Sequence, residues 1–145
     1  MMRHFGSVSQ VNIERNKQIA VLYREAKRSA EWPTSTMRLC EMVAEMPTPH
    51  FYISEESAAY VIGKRFYRGI HTTFRNPYKQ RLYDTLYELV VQMKQQPRFR
   101  EASLLAVVTA ALQQPAPCVG LTPISIYERI PKRKYPPRKT KKKKE

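Results

Sequence analysis

The residue types that could perform catalysis or hold a metal are few in this chain of 145 residues and lie far apart. The three histidines, His4, His50 and His71, have no cysteine or carboxylate at metal-ligand spacing. Two cysteines, Cys40 and Cys118, cannot form a disulfide framework, so we expect a reducing compartment. The sequence also has no glycine-rich phosphate loop and no acidic trio for two-metal chemistry. We therefore expect a protein that is not an enzyme and uses no metal or other cofactor.

Basic side chains offer clearer chemistry, because 26 Lys and Arg face 12 Asp and Glu, a net charge of +14. The excess lies in two blocks on an otherwise neutral chain. Residues 57–83 hold six basic side chains and no acid, and residues 132–145 hold nine basic side chains and one acid. Such an excess favours a polyanionic partner.

We predict that both blocks contact the phosphates of a nucleic acid, with duplex DNA favoured. The second block is predicted to be a disordered tail, because its like charges repel and its two prolines prevent a helix. The alternative for the tail is solvated charge that only improves solubility. The candidate nucleic-acid-binding residues are Ser57, Tyr60, Lys64, Arg65, Arg68, Arg75, Lys79, Arg81, Arg129, Lys132, Arg133, Lys134, Arg138, Lys139, Lys141, Lys142, Lys143 and Lys144.

Apolar residues three and four positions apart predict that helices position these side chains. The predicted helices cover about 13–29, 34–46, 54–68, 76–96, 104–112 and 122–130. Asn12, Ser54 and Asn76 are suitable N-caps, and Gly69 is a suitable stop. The most hydrophobic segment, Leu104 to Leu112, has nine residues and includes Thr109, whereas a membrane span needs about 20, so we expect no membrane partner.

The two halves of the sequence match each other. A Pro-x-Pro connector occurs at 47–49 and again at 115–117, and at the same offset of 68 residues Ser54 pairs with Thr122. Leu22-Tyr23 and Leu86-Tyr87 match at an offset of 64, so the second copy has about four extra residues between its first two helices. The alternative is a chance alignment of two proline stops. An internal repeat favours an architecture of two related units.

The predicted fold is all-α, with two related three-helix, helix-turn-helix-like units that share a core or stack. The predicted segments are a flexible N-terminus at 1–11, a first unit at 12–68, a basic linker at 69–75, a second unit at 76–131 and the tail at 132–145. Residues 54–68 then form a recognition helix. Two features oppose this interpretation: Glu55 and Glu56 lie at its leading end, and its connector exceeds the usual turn of about 3–4 residues. A helical bundle with a merely solvated basic face is the alternative.

The segment from Phe51 to Ala58 after the first Pro-x-Pro, together with Leu121-Thr122-Pro123-x-Ser125 after the second, resembles a family of small basic proteins from gut-bacterial and phage-like genomes. The resemblance covers about residues 12–131 and implies a bacterial or phage cytoplasmic setting, without a particular activity. The tandem three-helix plan is also similar in outline to the bipartite DNA-binding regions of transposases and paired-type domains.

Three functions remain open from the sequence. The leading hypothesis is a DNA-binding protein with a regulatory or accessory role in a bacterium, phage or mobile element. RNA binding is the second, because aromatic residues interleave with the central basic block and bases stack on such rings. The third is a structural or assembly protein of the virion type, whose tail contacts packaged nucleic acid. None of these needs a small-molecule substrate.

Overall fold

The computed structural model of the chain describes residues 8–30 and 33–130, which form seven α-helices and no β-strand. The helices are α1 (Val8–Ser29), α2 (Thr36–Ala44), α3 (Glu55–Arg68), α4 (Pro77–Lys94), α5 (Pro97–Arg100), α6 (Leu104–Leu112) and α7 (Pro123–Arg129). The predicted all-α class is therefore confirmed. Within these residues, no helix combines the length and the apolar character that crossing a bilayer requires.

Capping residues set the helix boundaries that the sequence predicts best. The Ser54 hydroxyl accepts a hydrogen bond from the Ser57 N–H at 3.1 Å, which satisfies an orphan donor at the start of α3. Gly69 ends α3 in the left-handed conformation, with φ of 69°. The side chain of Asn76 caps α4, and Pro77 occupies its first turn. The predicted ends of α3 and start of α4 are confirmed.

One predicted helix boundary is wrong, and one helix was not predicted. Helix α1 begins at Val8, so Asn12 lies inside the helix instead of capping it, and residues 8–11 are helical. No proline or glycine interrupts this turn, and a hydrogen bond of 2.7 Å from Gln10 to Glu14 supports it. The sequence also did not predict α5, whose four residues match the extra length of the second copy. Residues 1–7 and the predicted tail at 132–145 lie outside the described residues.

The repeat in the sequence is also a repeat of structural elements. Helices α2 and α6 have nine residues each and start 68 positions apart, and their caps are Ser35 and Ser103. Helices α3 and α7 also start 68 positions apart, with Ser54 and Thr122 as caps. Apart from α5, which lies only in the second copy, the two copies share the order of helices, connectors and caps.

The third helix of each copy packs against the other copy. Helix α7 packs against α2 and α1, and helix α3 packs against α6 and α4. One apolar cluster accordingly joins Ile19 and Val43 to Ile126. The other joins Ile62 to Leu86, and α6 also contributes to it. This exchange differs from the expectation that 12–68 and 76–131 each form their own three-helix unit.

The crossing of the two Pro-x-Pro connectors explains the exchange. Thr48 and Ala116, which are equivalent in the repeat, form an antiparallel bridge with two backbone hydrogen bonds of 3.0 Å. Phe51 N–H donates to the Leu112 carbonyl oxygen at 2.9 Å just beyond this bridge. Prolines on both sides of the bridge favour extended backbone over a tight turn. Each connector therefore carries its third helix across to the other copy.

Candidate nucleic-acid interface

Helix α3 presents one polar face to solvent, which we call the α3 stripe: Ser57, Tyr60, Lys64 and Arg68. These residues are spaced by three, four and four positions, so they lie on one side of the helix. Ala58 and Ile62, on the other side, are buried against α4 and α6. Burial of that apolar side fixes the direction in which the α3 stripe faces.

The α3 stripe combines cations with an exposed aromatic ring. The Tyr60 side chain is 65% exposed, and the Lys64 ammonium lies 4.6 Å from its ring centroid. This cation–π contact holds the ammonium beside the ring. Among the described residues, neither Lys64 nor Arg68 forms an ion pair. The charge of both side chains is therefore available to an external anion.

Two other predicted phosphate contacts have partners inside the chain. Arg65 Nη1 lies 3.0 Å from Asp84 Oδ1, and its guanidinium carbon lies 4.1 Å from the Tyr87 ring centroid. Arg81 Nη1 lies 3.1 Å from Glu45 Oε1. These pairs join α3 to α4 and α4 to the end of α2. Binding of a phosphate by either arginine would have to compete with a carboxylate.

The basic linker at 69–75 is fixed to α4. The Gln80 side chain accepts from the Phe74 N–H at 2.7 Å and donates to the Thr72 carbonyl oxygen at 3.3 Å. Arg75, next to this anchored segment, is exposed, and so is Lys79 in the first turn of α4, where its ammonium lies 4.7 Å from the Phe74 ring. Neither of these cations forms an ion pair with another described residue.

Asp84 joins the linker to both helices. Its Oδ1 atom lies 3.0 Å from Arg65, 3.1 Å from His71 and 3.2 Å from Gln80. Burial alone would raise the pKa of this carboxyl, but the hydrogen bonds from His71, Gln80 and Arg65 outweigh it and lower the pKa. The carboxylate is thus ionised at neutral pH, and it neutralises the charge of Arg65 beneath the α3 stripe.

Exposed aromatic rings are fewer than the interleaved sequence suggests. Tyr60 and Tyr67 are 65% and 70% exposed. Tyr83 is buried and stacks on Phe74 with ring centroids 4.9 Å apart, and Tyr52 is buried too. Stacking of a base is therefore available to Tyr60 and Tyr67 on α3, whereas Tyr52 and Tyr83 belong to the core.

The other exchanged helix, α7, lacks the basic face. The positions equivalent to Ser57 and Tyr60 are Ser125 and Glu128. Arg129 donates to the Ser125 carbonyl oxygen at 3.0 Å, so it lies along its own helix. The remaining predicted contacts lie outside the described residues: Lys132, Arg133, Lys134, Arg138, Lys139, Lys141, Lys142, Lys143 and Lys144.

Sequence reasoning missed Arg15. This residue occupies a core-facing position of α1, four residues before the buried Ile19, and lines a cavity that also contains Lys79. Its position was visible in the sequence as one basic residue in an otherwise apolar stripe, which continues with Leu22 and Ala26.

In residues 8–30 and 33–130, no group of His, Cys, Asp and Glu side chains is arranged to hold a metal ion. Comparison with models of protein families, with curated proteins and with solved structures found no match to the chain. The resemblance to small basic proteins of phage-like genomes therefore stays a prediction, and function has to be argued from the residues themselves.

Proposed function

We propose that this chain is a non-enzymatic protein that binds duplex DNA in the cytoplasm of a bacterium, with a regulatory or accessory role for the cell, a phage or a mobile element. One observation supports the proposal most strongly. Four cations, Lys64, Arg68, Arg75 and Lys79, belong to one stretch of chain from α3 to α4 and form no ion pair with any described residue. Arg68, Arg75 and Lys79 are exposed and Lys64 is half-buried. Unpaired cations in such a group match the charge of a phosphate backbone.

The packing of α3 suits this role. Together with α4 and α6 it makes a three-helix unit, in which α3 takes the place of the third helix. In helix-turn-helix-like modules the third helix enters the major groove. Ser57 and Tyr60 would then approach base edges, and Lys64 and Arg68 would hold phosphates. The connector before α3 is longer than a helix-turn-helix turn because it crosses from one copy to the other. Its length therefore does not oppose this interpretation of α3.

The acidic start of α3 orients the proposed complex. Glu55 is half-buried and Glu56 is exposed in the first turn of α3. The positive end of the helix dipole stabilises both carboxylates there. Carboxylates repel phosphates, so the backbone would run past the far end of α3, near Arg68 and Arg75. The basic tail would add affinity that does not depend on sequence.

The salt dependence of binding follows from these contacts. Each neutralised phosphate contributes about −0.9 to the slope of log K against log salt concentration. Six contacts from the central block would give about −5, whereas the four unpaired cations give about −3.6. Arg65 and Arg81 contribute less because Asp84 and Glu45 already neutralise them.

A salt titration with random duplex DNA tests the proposal. The full chain is compared with a chain that ends at residue 131, and duplex RNA and single-stranded DNA serve as competitors. We expect the shortened chain to bind duplex DNA more weakly but still with a slope near −3.6. Loss of all binding with the tail, or a preference for either competitor, would contradict a DNA-binding role of the helical body.

A further inference from the structure

A cavity of about 430 Å³ lies where α1, the start of α4 and both connectors meet. One part of its lining is polar and includes Asn12, Arg15, Ser57 and Lys79. Another part is apolar and includes Leu82, Val119 and Leu121. Its volume falls in the range of about 300–1,000 Å³ that is typical of small-molecule sites.

The charge of the cavity is one-sided. Its described lining holds two cations, Arg15 and Lys79, and no carboxylate. Glu14 and Glu55, next to the lining residues Arg15 and Ser54 in the sequence, line a separate hollow of about 70 Å³. Burial and, after it, the charge of Glu14 raise the pKa of Tyr52, so Glu14 acts at one edge of the cavity. Glu14 also accepts a hydrogen bond from Gln10. The lining itself therefore attracts an anion, because its described residues include two cations and no carboxylate.

Arg15 lacks a complete set of partners. Its Nε atom is buried and has no hydrogen-bond partner among the described residues. Burial lowers the pKa of Arg15, and repulsion from Arg129 lowers it further. The side chain as a whole is half-buried, and a partly desolvated charge without a partner is costly, so an anion beside this guanidinium would be stabilised.

Other polar side chains in the lining differ in whether they already have hydrogen-bond partners within the chain. The Asn76 side chain is held in place, because its oxygen caps α4 and its nitrogen donates to the Gly120 carbonyl oxygen at 3.0 Å. Ser57 and Asn12 have no such hydrogen bond from their side chains to another described residue, so both can contact a ligand. Gly120, with φ of 87°, brings its backbone close to Leu82 and shapes the apolar side.

We propose that this cavity binds a small organic anion, with a carboxylate or phosphate held by Arg15 and Lys79 and an apolar body against Leu82, Val119 and Leu121. A bare inorganic ion would leave the apolar part of the lining empty. This site goes beyond the DNA-binding role, with which it shares Ser57 and Lys79, and it is tested without DNA.

The test uses 1-anilinonaphthalene-8-sulfonate, a fluorescent organic anion with an apolar body, and the full chain without DNA. We expect saturable binding of one molecule per chain, with displacement by benzoate or by adenosine monophosphate showing whether a carboxylate or a phosphate head is preferred. Arg15→Met should weaken binding about tenfold or more, because a hydrogen bond to a charged group is lost. Arg15→Lys should recover part of the affinity.

Controls keep the result specific to the cavity. Arg24→Met removes an exposed cation from the same helix and should leave the affinity unchanged. Lys79→Met changes an exposed residue and tests the site even if Arg15→Met does not fold. Failure of both benzoate and adenosine monophosphate to displace the dye, or equal affinity in the Arg15 and Lys79 variants and the parent chain, would overturn the proposal.

Measuring the affinity for duplex DNA distinguishes a cavity that binds a free small molecule from one that binds a phosphate of the DNA backbone. We expect Arg15→Met to change the affinity for duplex DNA by less than twofold. A loss for DNA as large as the loss for the dye would show that the cavity receives a DNA phosphate, and would overturn the assignment to a small molecule. If the chain binds no DNA at all, the dye titration still decides the question.

Discussion

Ile126 provides a direct test of the exchanged helices. It is fully buried on α7 and belongs to the cluster of α1 and α2, although the nearest long helix before it along the chain is α6. Ile126→Ala deletes buried carbons and leaves a cavity, so the free energy of unfolding should fall by about 2–5 kcal/mol. Urea unfolding of the full chain, followed by circular dichroism, measures this loss.

A double-mutant cycle identifies which helix Ile126 packs against. Val43 on α2 and Val108 on α6 are both fully buried, so each Val→Ala change is a matched partner in the cycle. For residues in contact, the change in the free energy of unfolding of the double mutant differs from the sum of the single changes by about 0.5–3 kcal/mol. For independent sites the changes add to within about 0.5 kcal/mol. We expect coupling of Ile126 to Val43 and additivity with Val108. The reverse result would refute the exchange.

Three further substitutions test local features. Gly120→Ala should lower the free energy of unfolding by about 1–3 kcal/mol in urea titration, because φ is 87° and the new Cβ would lie 2.8 Å from Leu82 Cδ2; an unchanged midpoint would contradict this packing. Asp84→Asn should cost about 1 kcal/mol at pH 7. Since the folded pKa of Asp84 is lowered, its stabilisation is present above the unfolded pKa of about 3.9 and is lost as the pH falls through the folded value; an acid unfolding curve unchanged by Asp84→Asn would contradict the network. Burial raises the pKa of Tyr83 to about 12, so the parent chain should lose stability between about pH 10 and 12, and Tyr83→Phe should reduce that loss; equal alkaline curves would contradict the burial of the phenol.

Local signals explain most of what the sequence predicts correctly. Ser54, Gly69 and Asn76-Pro77 act through their own backbone or through residues two to four positions away, so their effect can be seen without the fold. Helix α5 was missed because four residues show no apolar period. The start of α1 was misplaced because Asn12 can serve either as a cap or as an interior residue.

The exchange and the charge pairing depend on distant contacts. Both copies present apolar faces at matching positions, so periodicity does not say whether α3 packs on its own copy or on the other. Arg65 pairs with a carboxylate 19 positions away, and Arg81 with one 36 positions away. Counting charges therefore located the basic block, but could not separate its paired cations from its unpaired ones.

The central claim is that the unpaired cations near α3 bind DNA. The most direct measurement compares salt slopes for duplex DNA between two full-length variants with equal loss of charge. One carries Lys→Gln and Arg→Gln changes at Lys64, Arg68, Arg75 and Lys79. The other carries them at four exposed cations of α1: Lys17, Arg24, Lys27 and Arg28.

We expect the first variant to lose about 3.6 from the magnitude of the slope, which is four contacts at about 0.9 each, and the second to keep the slope of the parent chain. Equal slopes in the two variants would contradict the claim, because net charge alone would then account for binding.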